Sequence, residues 1–596
     1  MQMFKKLLFL LTSHERKRAV LLLCMILIMS ILDMMGVASI IPFISVLANP
    51  DLVHTNTFLN EAYTKLRFED PQQFLFALGI LVFVLLLVSL SFKAITTYVQ
   101  LRFIGMREYS ISKCLVEGYL HQPYSWFINR HSADIGKTIL SEVGIVIDGA
   151  LAPMITLISQ SAVTIVLLIL LTIVDYKLLL IIGLVLIAIY ALIFKISRNV
   201  LVHIGVERLK ANQRRFTVIS EAFGAFKEVK VGGLEQVYIQ RFLDPSYIFA
   251  RYQAIAQIIS QLPRFLLEVI AFGGMLVVVL YLMVREKSFV GVAPIISLYI
   301  FSGYRLMPAL HQIYLAVTQL RFARPALDAL HVELMGLQPT NLNSSQDDIV
   351  LSQAITLNQI RYRYPNAPKE AIKDLNLIIP AKSTVGLVGE TGSGKTTTVD
   401  LILGLLQAQQ GTLEVNGQVI NKHNCRAWQR TIGYVPQQIY LSDDTVAANI
   451  AFGLDPKNID QDAVERSAKI ANLHDFVVNE LSQQYQSTLG ERGVRLSGGQ
   501  RQRIGIARAL YHNPQLLIMD EATNALDNLT EQAVMEAVHN LENKITIILI
   551  AHRLNTVKTC DTIFLLEKGE LKAQGTFADL TLENKTFQKI SLNHKD

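Results

Sequence analysis

Val385-Gly386-Leu387-Val388-Gly389-Glu390-Thr391-Gly392-Ser393-Gly394-Lys395-Thr396-Thr397 reads as a buried apolar strand that breaks into a glycine-rich turn and opens a helix. Gly389 to Thr396 satisfy the phosphate-loop pattern G-x-x-x-x-G-K-[ST], in the strand-then-helix context that the pattern requires. Glycines let backbone N–H groups close around phosphates, and the helix N-terminus adds a favourable dipole. The spacing puts Lys395 on the β- and γ-phosphates of ATP and the Thr396 hydroxyl on Mg²⁺. Gly389, Glu390, Thr391, Gly392, Ser393, Gly394, Lys395, Thr396 and Thr397 are therefore the first candidate nucleotide-binding residues.

Downstream, Leu516-Leu517-Ile518-Met519-Asp520-Glu521 is an apolar strand ending in two carboxylates. The C-terminal end of a strand is where an α/β sheet binds its ligand. Asp520 is placed to hold the Mg²⁺ shell and Glu521 to polarise an attacking water.

Between these two motifs stands Leu496-Ser497-Gly498-Gly499-Gln500, and here the sequence resembles the ATP-binding cassette (ABC) proteins, whose signature motif this is. Other segments match in the same order. Tyr364 looks like the aromatic that stacks on adenine, and Gln437 like the glutamine that senses Mg²⁺ and water. Thr488 to Gly493 resembles the exporter-type segment before the signature. Asn524-Ala525-Leu526-Asp527 is similar to the loop that crosses between paired cassettes, with Asn where Ser is commoner. Ala551-His552-Arg553 resembles the switch-histidine segment, so His552 joins Glu521 and Gln437 as a catalytic candidate. The resemblance covers nearly all of residues 350–580. It implies head-to-tail pairing in which Ser497, Gly498, Gly499 and Gln500 of one subunit cap ATP on the Lys395 loop of the other.

Working back from the cassette, the composition changes. Half of the chain is apolar, and the charge-poor runs lie in its first three hundred residues. A membrane span needs about 20 apolar residues. Six stretches qualify: about Ala19–Leu47, Phe74–Leu101, Gly149–Val174, Leu178–Phe194, Phe265–Val284 and Val290–Leu310. The fold class is thus an α-helical six-span transmembrane domain (1–335), a linker (336–349) and an α/β P-loop ATPase domain (350–596). The connections after the second and fourth spans are rich in Lys and Arg, and the loop after the first is balanced by acids. The positive-inside rule then puts both termini and the ATPase in the cytoplasm. A net charge of +6 fits that asymmetry and calls for no nucleic-acid partner. The cytoplasmic connections read as helical continuations of the spans, each with an aromatic elbow: Pro123 to Phe127, and Phe223 to Phe226. In the outer loop, Phe58, Leu59, Ala62, Tyr63 and Leu66 share one face of a short amphipathic helix. The segment before the first span reads as an interfacial helix.

Charges inside spans mark pathways by default. Lys93, Arg264 and Arg305 all fall toward the cytoplasmic leaflet when depth is counted at about 1.5 Å per residue. Arg264 has Glu268 four residues on to neutralise it, whereas Lys93 and Arg305 show no local partner. The three read as a cationic chamber for an anionic lipid-linked substrate. The membrane half is similar to bacterial lipid-linked oligosaccharide flippases, in Gln261 to Glu268, Gly303 to Pro308 and the outer-loop helix. That resemblance implies a homodimer in the bacterial inner membrane, carrying a polyprenyl-pyrophosphate-linked oligosaccharide from the inner to the outer leaflet. Other lipids, hydrophobic drugs or peptides are the alternative cargo.

Overall fold

Asp70 accepts a hydrogen bond from the Gln72 N–H and Pro71 occupies the first turn, and from that start one helix runs unbroken from Pro71 to Leu120. Its 50 residues extend about 75 Å at 1.5 Å each, well beyond a hydrocarbon core of about 30 Å. The other long helices behave alike: Tyr176–Gly224, Glu235–Glu286 and Phe289–Gly336. The spans do continue as helices far past their apolar stretches.

In this computed structural model the backbone is described for residues 2–128, 130–174, 176–286, 289–337, 349–365, 367–490, 493–494, 496–521, 531–532, 535–536, 544–551 and 554–592, and side chains are described there except at 174–198, much of 266–299, 554–555 and 589–592. The chain divides into two units, residues 1–122 with 129–340, and residues 123–128 with 341–596.

In the first unit, Ser13–Ala38 starts from a capping box between Thr12 and Glu15 and ends where Ile40–Ala48 begins. The break has a local cause. Pro42 lacks an N–H, and its ring would clash with the carbonyl of Ala38, four residues back. The third membrane helix is also irregular, with π-helical turns at Thr138–Glu142 and Ile147–Leu151 before Ala152–Val174. Among the described residues, 13–48, 71–120 and 132–173 are each long and apolar enough to cross a membrane. The remaining three expected spans lie within the last three long helices, largely on side chains outside the described set.

The N-terminal segment forms the helix Gln2–Phe9, tied by Lys6 to Asp328 at 2.7 Å. The outer-loop helix spans Thr57–Lys65, capped by Asn56. Its packed face is Leu59, Ala62 and Tyr63 against Val46, Val53 and Phe74, while Phe58 and Leu66 of the expected face stay exposed.

The second unit carries two sheets. An antiparallel sheet in the order β2-β1-β4-β5 comprises β1 (Ala354–Tyr362), β2 (Ile372–Pro380), β4 (Gln410–Val415) and β5 (Gln418–Val419). A six-stranded sheet runs β10-β9-β3-β8-β7-β6, formed by β3 (Thr384–Val388), β6 (Ile432–Val435), β7 (Leu516–Asp520), β8 (Thr546–Ile550), β9 (Thr562–Glu567) and β10 (Glu570–Gly575). All of its neighbours pair in parallel except β10 on β9. Strands β3, β7 and β8 are buried at every residue, as parallel strands covered on both faces must be. The aromatic elbow Tyr124–Ile128 is a short helix that packs as part of this unit.

Candidate functional site

The sheet order places β8 between β3 and β7, so the ends of β3 and β7 lie about 10 Å apart, two strand spacings. The phosphate loop leaves the end of β3 and the helix Lys395–Ile402 follows it. Asp520 closes β7 and Glu521 comes next. The loop's glycines have a steric reason. At Gly394, with φ of 105°, a Cβ would meet Ile372 Cδ1 at 2.9 Å, and at Gly389 it would strike the Leu566 carbonyl.

The Lys395 ammonium is buried and donates to the carbonyls of Gly389 (2.7 Å) and Glu390 (3.1 Å), so the loop curls around its own lysine. Burial pulls its pKa down, against the opposing pull of Glu521 and Asp520. Ser393 Oγ is buried and has no hydrogen-bond partner among the described residues. Thr396 is exposed, and Tyr364 sits over the start of the helix with its hydroxyl 3.1 Å from Thr397 Oγ1. An orphaned hydroxyl, a cation held by weak carbonyl partners and an open threonine fit a phosphate chain with its metal ion.

Glu521 occupies the left-handed region, at φ 49°, which is uncommon for a residue with a Cβ and is typical of strained functional positions. Its N–H donates to the Ile550 carbonyl at the end of β8 (3.1 Å), and Gln502 Nε2 donates to its carbonyl (3.3 Å). Its side chain accepts from Gln437 Nε2 at 2.6 Å. Gln437 can reach it because β6, which precedes Gln437, pairs with β7.

The signature residues form a separate feature. Ser497 caps the helix Gly498–Leu510, accepting from the Gln500 N–H (3.2 Å) while its own N–H donates to Gln500 Oε1 (2.8 Å). Gly498 and Gly499 make the first turn of that helix, an anion-attracting N-terminus. Among the described residues nothing joins Ser497 or Gln500 to the phosphate loop. Asp527 and His552 lie outside the described residues.

Two site residues have no sequence motif. Asp400, on the helix behind the phosphate loop, is buried; burial and, after it, the neighbouring Asp520 push its pKa up to about 6. Tyr434 on β6 hydrogen-bonds Asp520, and burial with the surrounding carboxylates raises its pKa. The signal for Tyr434 was its place one residue before the end of a strand that must lie beside the Asp520 strand.

The three membrane cations differ from one another. Arg264 donates to Glu268 at 2.9 Å, as their spacing implies. Arg305, which has no local partner, is paired with a residue of a distant helix. Its NH1 lies 3.1 Å from Asp33 Oδ1, and Ser89 Oγ donates to the same oxygen at 3.2 Å. Asp33 stands midway between Ala19 and Leu47, so the pair ties Arg305 to the middle of the first apolar stretch. Lys93 is half-buried, and among the described residues no carboxylate lies within ion-pair distance of it. It sits on the stripe Ser89, Lys93, Thr96 and Phe103, whose other members are buried. It therefore turns toward the helices of its own unit while part of it stays exposed.

Comparison with known proteins agrees with both units. The ABC transporter transmembrane region matches residues 19–305, and the ABC transporter ATPase family matches residues 372–524. The chain is 30% identical over 483 residues to an ATP-dependent lipid A-core flippase of Cupriavidus metallidurans, covering 78% of each. It is 34% identical over 367 residues to the protein of the same name in Saccharophagus degradans, covering 61% of each. A bacterial Atm1-family ABC exporter solved with ATP bound superposes with a TM-score of 0.78 over 98% of both chains, at 22% identity.

Proposed function

From a chain that belongs to the ABC transporter family and has the fold of its exporters, we infer a half-transporter: two copies pair and use ATP hydrolysis to flip an anionic lipid-linked substrate. The cargo proposed is a polyprenyl-pyrophosphate-linked oligosaccharide, moved from the inner to the outer leaflet of a bacterial inner membrane. The observation that carries this reading is Lys93, an uncompensated cation among the described residues, on a stripe that faces the protein interior. A charge so placed is costly unless it meets water or an anion. The relatives named as lipid A-core flippases support a lipid as the thing moved.

In the cassette, Lys395 would exchange its two loop carbonyls for phosphate oxygens, a stronger charge-assisted contact. Thr396, Asp520 and Gln437 would hold Mg²⁺, which when bound neutralises the phosphate charge. Glu521 takes the proton of the attacking water, oriented by Gln437, and Asp527 and His552 complete the set by resemblance. The capping box occupies the N–H groups of Ser497 and Gln500 and leaves those of Gly498 and Gly499 to receive the γ-phosphate of the other subunit's ATP. The stacked pair Phe223 and Phe226 is exposed at the second elbow, available to the partner cassette.

The test is ATPase activity of the purified chain in lipid, run beside translocation in proteoliposomes, with and without polyprenyl-pyrophosphate glycans. Stimulation and translocation support the reading. Stimulation by neutral apolar compounds alone would replace it with a drug or neutral-lipid exporter.

A further inference from the structure

Among the described residues, Asp33 is the carboxylate that meets a proposed substrate cation at mid-span, and its surroundings are specific. It is 4% exposed, while the guanidinium it binds keeps 19% of its side chain exposed. Met29 and Val37, a turn to either side of Asp33, belong to an apolar cluster with Val163, Leu167 and Leu171, against which Phe92 and Leu306 pack. The carboxylate is sealed; the arginine has an open edge. Buried ion pairs add little net stability over apolar residues of similar size, so stability alone is a weak reason for this one.

The pair has a neighbour. Ser89, which donates to Asp33, lies one helical turn from Lys93 on the same face. Asp33, Arg305 and Lys93 together carry one net positive charge. A headgroup with a single negative charge is balanced by Lys93 and has nothing with which to draw Arg305 away. A headgroup with two negative charges keeps one of them unpaired until Arg305 exchanges Asp33 for it; the exchange conserves charge, so it is decided by the two-toothed phosphate contact against the bond to one Asp33 oxygen. When Arg305 leaves, the Ser89 hydroxyl still holds the carboxylate. Arg305 offers five N–H donors in a planar fork suited to two phosphate oxygens, which one Asp33 oxygen does not satisfy.

We propose that Asp33 is a specificity-determining residue: it keeps Arg305 in reserve and releases it only to a headgroup carrying more negative charge than Lys93 can balance. This rests on the anionic-lipid reading above and adds to it a rule for which anionic lipids are accepted. The cargo favoured is a sugar linked to its lipid through pyrophosphate, and the cargo refused is the same sugar linked through a single phosphate.

The experiment titrates the full-length protein in lipid nanodiscs with three probes and reads ATPase stimulation. The probes are undecaprenol, and N-acetylglucosamine joined to undecaprenol through one phosphate or through two. For the wild type, the two-phosphate probe stimulates at the lower concentration. For Asp33→Asn, with Arg305 no longer sequestered, the half-stimulating concentration of the one-phosphate probe falls about tenfold, because that probe gains a charge-assisted contact with an arginine it could not draw before, whereas the two-phosphate probe already engaged it. The gap between the two phosphate probes narrows. Asp33→Ser, which is smaller and keeps a hydroxyl for Ser89, gives the same shift. An unchanged gap in both variants overturns the proposal while leaving the anionic-lipid reading intact. An equal shift for undecaprenol also overturns it, since charge is then not what Asp33 governs. If neither variant is monodisperse, Asp33 is a folding requirement and the proposal falls. A wild type that does not distinguish either phosphate probe from undecaprenol sinks the anionic-lipid reading itself.

Discussion

In the membrane unit, Asp33 meets Arg305, Glu142 meets Arg208 and Glu15 meets Arg107, each carboxylate with an arginine from a different helix. Extra donors complete them: Asn212 Nδ2 reaches Glu142 at 2.8 Å, and Ser110 Oγ reaches Glu15 at 2.8 Å. The cassette does the opposite. Asp400 has its pKa raised by burial and, after it, by the neighbouring Asp520, Glu521 follows Asp520 in the chain, and Lys395 is turned onto its own loop. Charges that are paired within the protein lock helices together. Carboxylates gathered beside one another hold repulsion that a cation from outside relieves. The first pattern suits a scaffold with one guarded cation, and the second a metal-dependent reaction centre.

The largest effect that tests this contrast is at Glu521. Glu521→Gln keeps the size and the bond to Gln437 but removes the base. Steady-state hydrolysis should fall by at least about 100-fold while ATP remains bound. Phosphate release and nucleotide retention, measured on one preparation, check it; near-normal turnover would reject the assignment. Lys395→Ala is expected next, with nucleotide affinity lowered by about tenfold or more along with turnover, because the ammonium meets phosphate in the ground state. Equilibrium ATP binding by fluorescence titration decides this, and an unchanged affinity would mean that Lys395 stays on its loop carbonyls.

In the membrane unit the two cations should respond differently. Lys93→Ala is expected to slow lipid translocation by about tenfold, with basal ATPase within about twofold and little change in thermal stability. Arg305→Ala should slow translocation as well and also lower the melting temperature, because it leaves Asp33 buried without its cation. If Lys93→Ala destabilises the protein as much as Arg305→Ala, the contrast between a paired and an unpaired cation is wrong.

How much of this was legible in the sequence follows from chain distance. The phosphate loop, the Asp520-Glu521 pair and the Ser497 cap are each built from adjacent residues, so their local geometry is fixed by backbone rules that a sequence displays. Asp33 and Arg305 are far apart in the chain, and in the sequence Asp33 is only an interruption in an apolar run. The signal was available, since a carboxylate inside one span is the natural partner for a cation inside another. The reading looked for partners of Arg305 within its own span, and Asp33 lies on another helix, Ser13–Ala38. The π-helical turn Thr138–Glu142 has no signature in residue type; its last residue, Glu142, bonds Arg208 and Asn212 of another helix. Asp400 escaped notice because a single acid in a helix resembles a solvated one until the sheet above it is in place.

The smallest effect is the one that isolates crowded carboxylates from catalysis. Asp400 has no role in the reaction proposed, yet its pKa stands at about 6 against an ordinary 3.8. For an acid raised in this way the folded state binds the proton more tightly than the unfolded chain does. Stability is therefore highest below about pH 3.8 and declines as pH rises through about 6, above which the whole penalty applies. A rise of that size costs the folded state roughly 2–3 kcal/mol at most, and less to the extent that water screens the charge. Asp400→Asn removes the charge at nearly constant shape, so without nucleotide the cassette should melt higher than the wild type at pH 8, and the gain should shrink to about half by pH 5. Tryptophan fluorescence reads this unit selectively, since Trp126 and the fully buried Trp428 both belong to it. Added Mg²⁺-ATP should narrow the difference at pH 8 in part, because the ion relieves the share of the penalty that comes from Asp520 and leaves the larger share, from burial. A gain that does not depend on pH, or a loss of stability at pH 8, would show that Asp400 is held by a partner as the membrane carboxylates are, and the contrast between the two units would not extend to it.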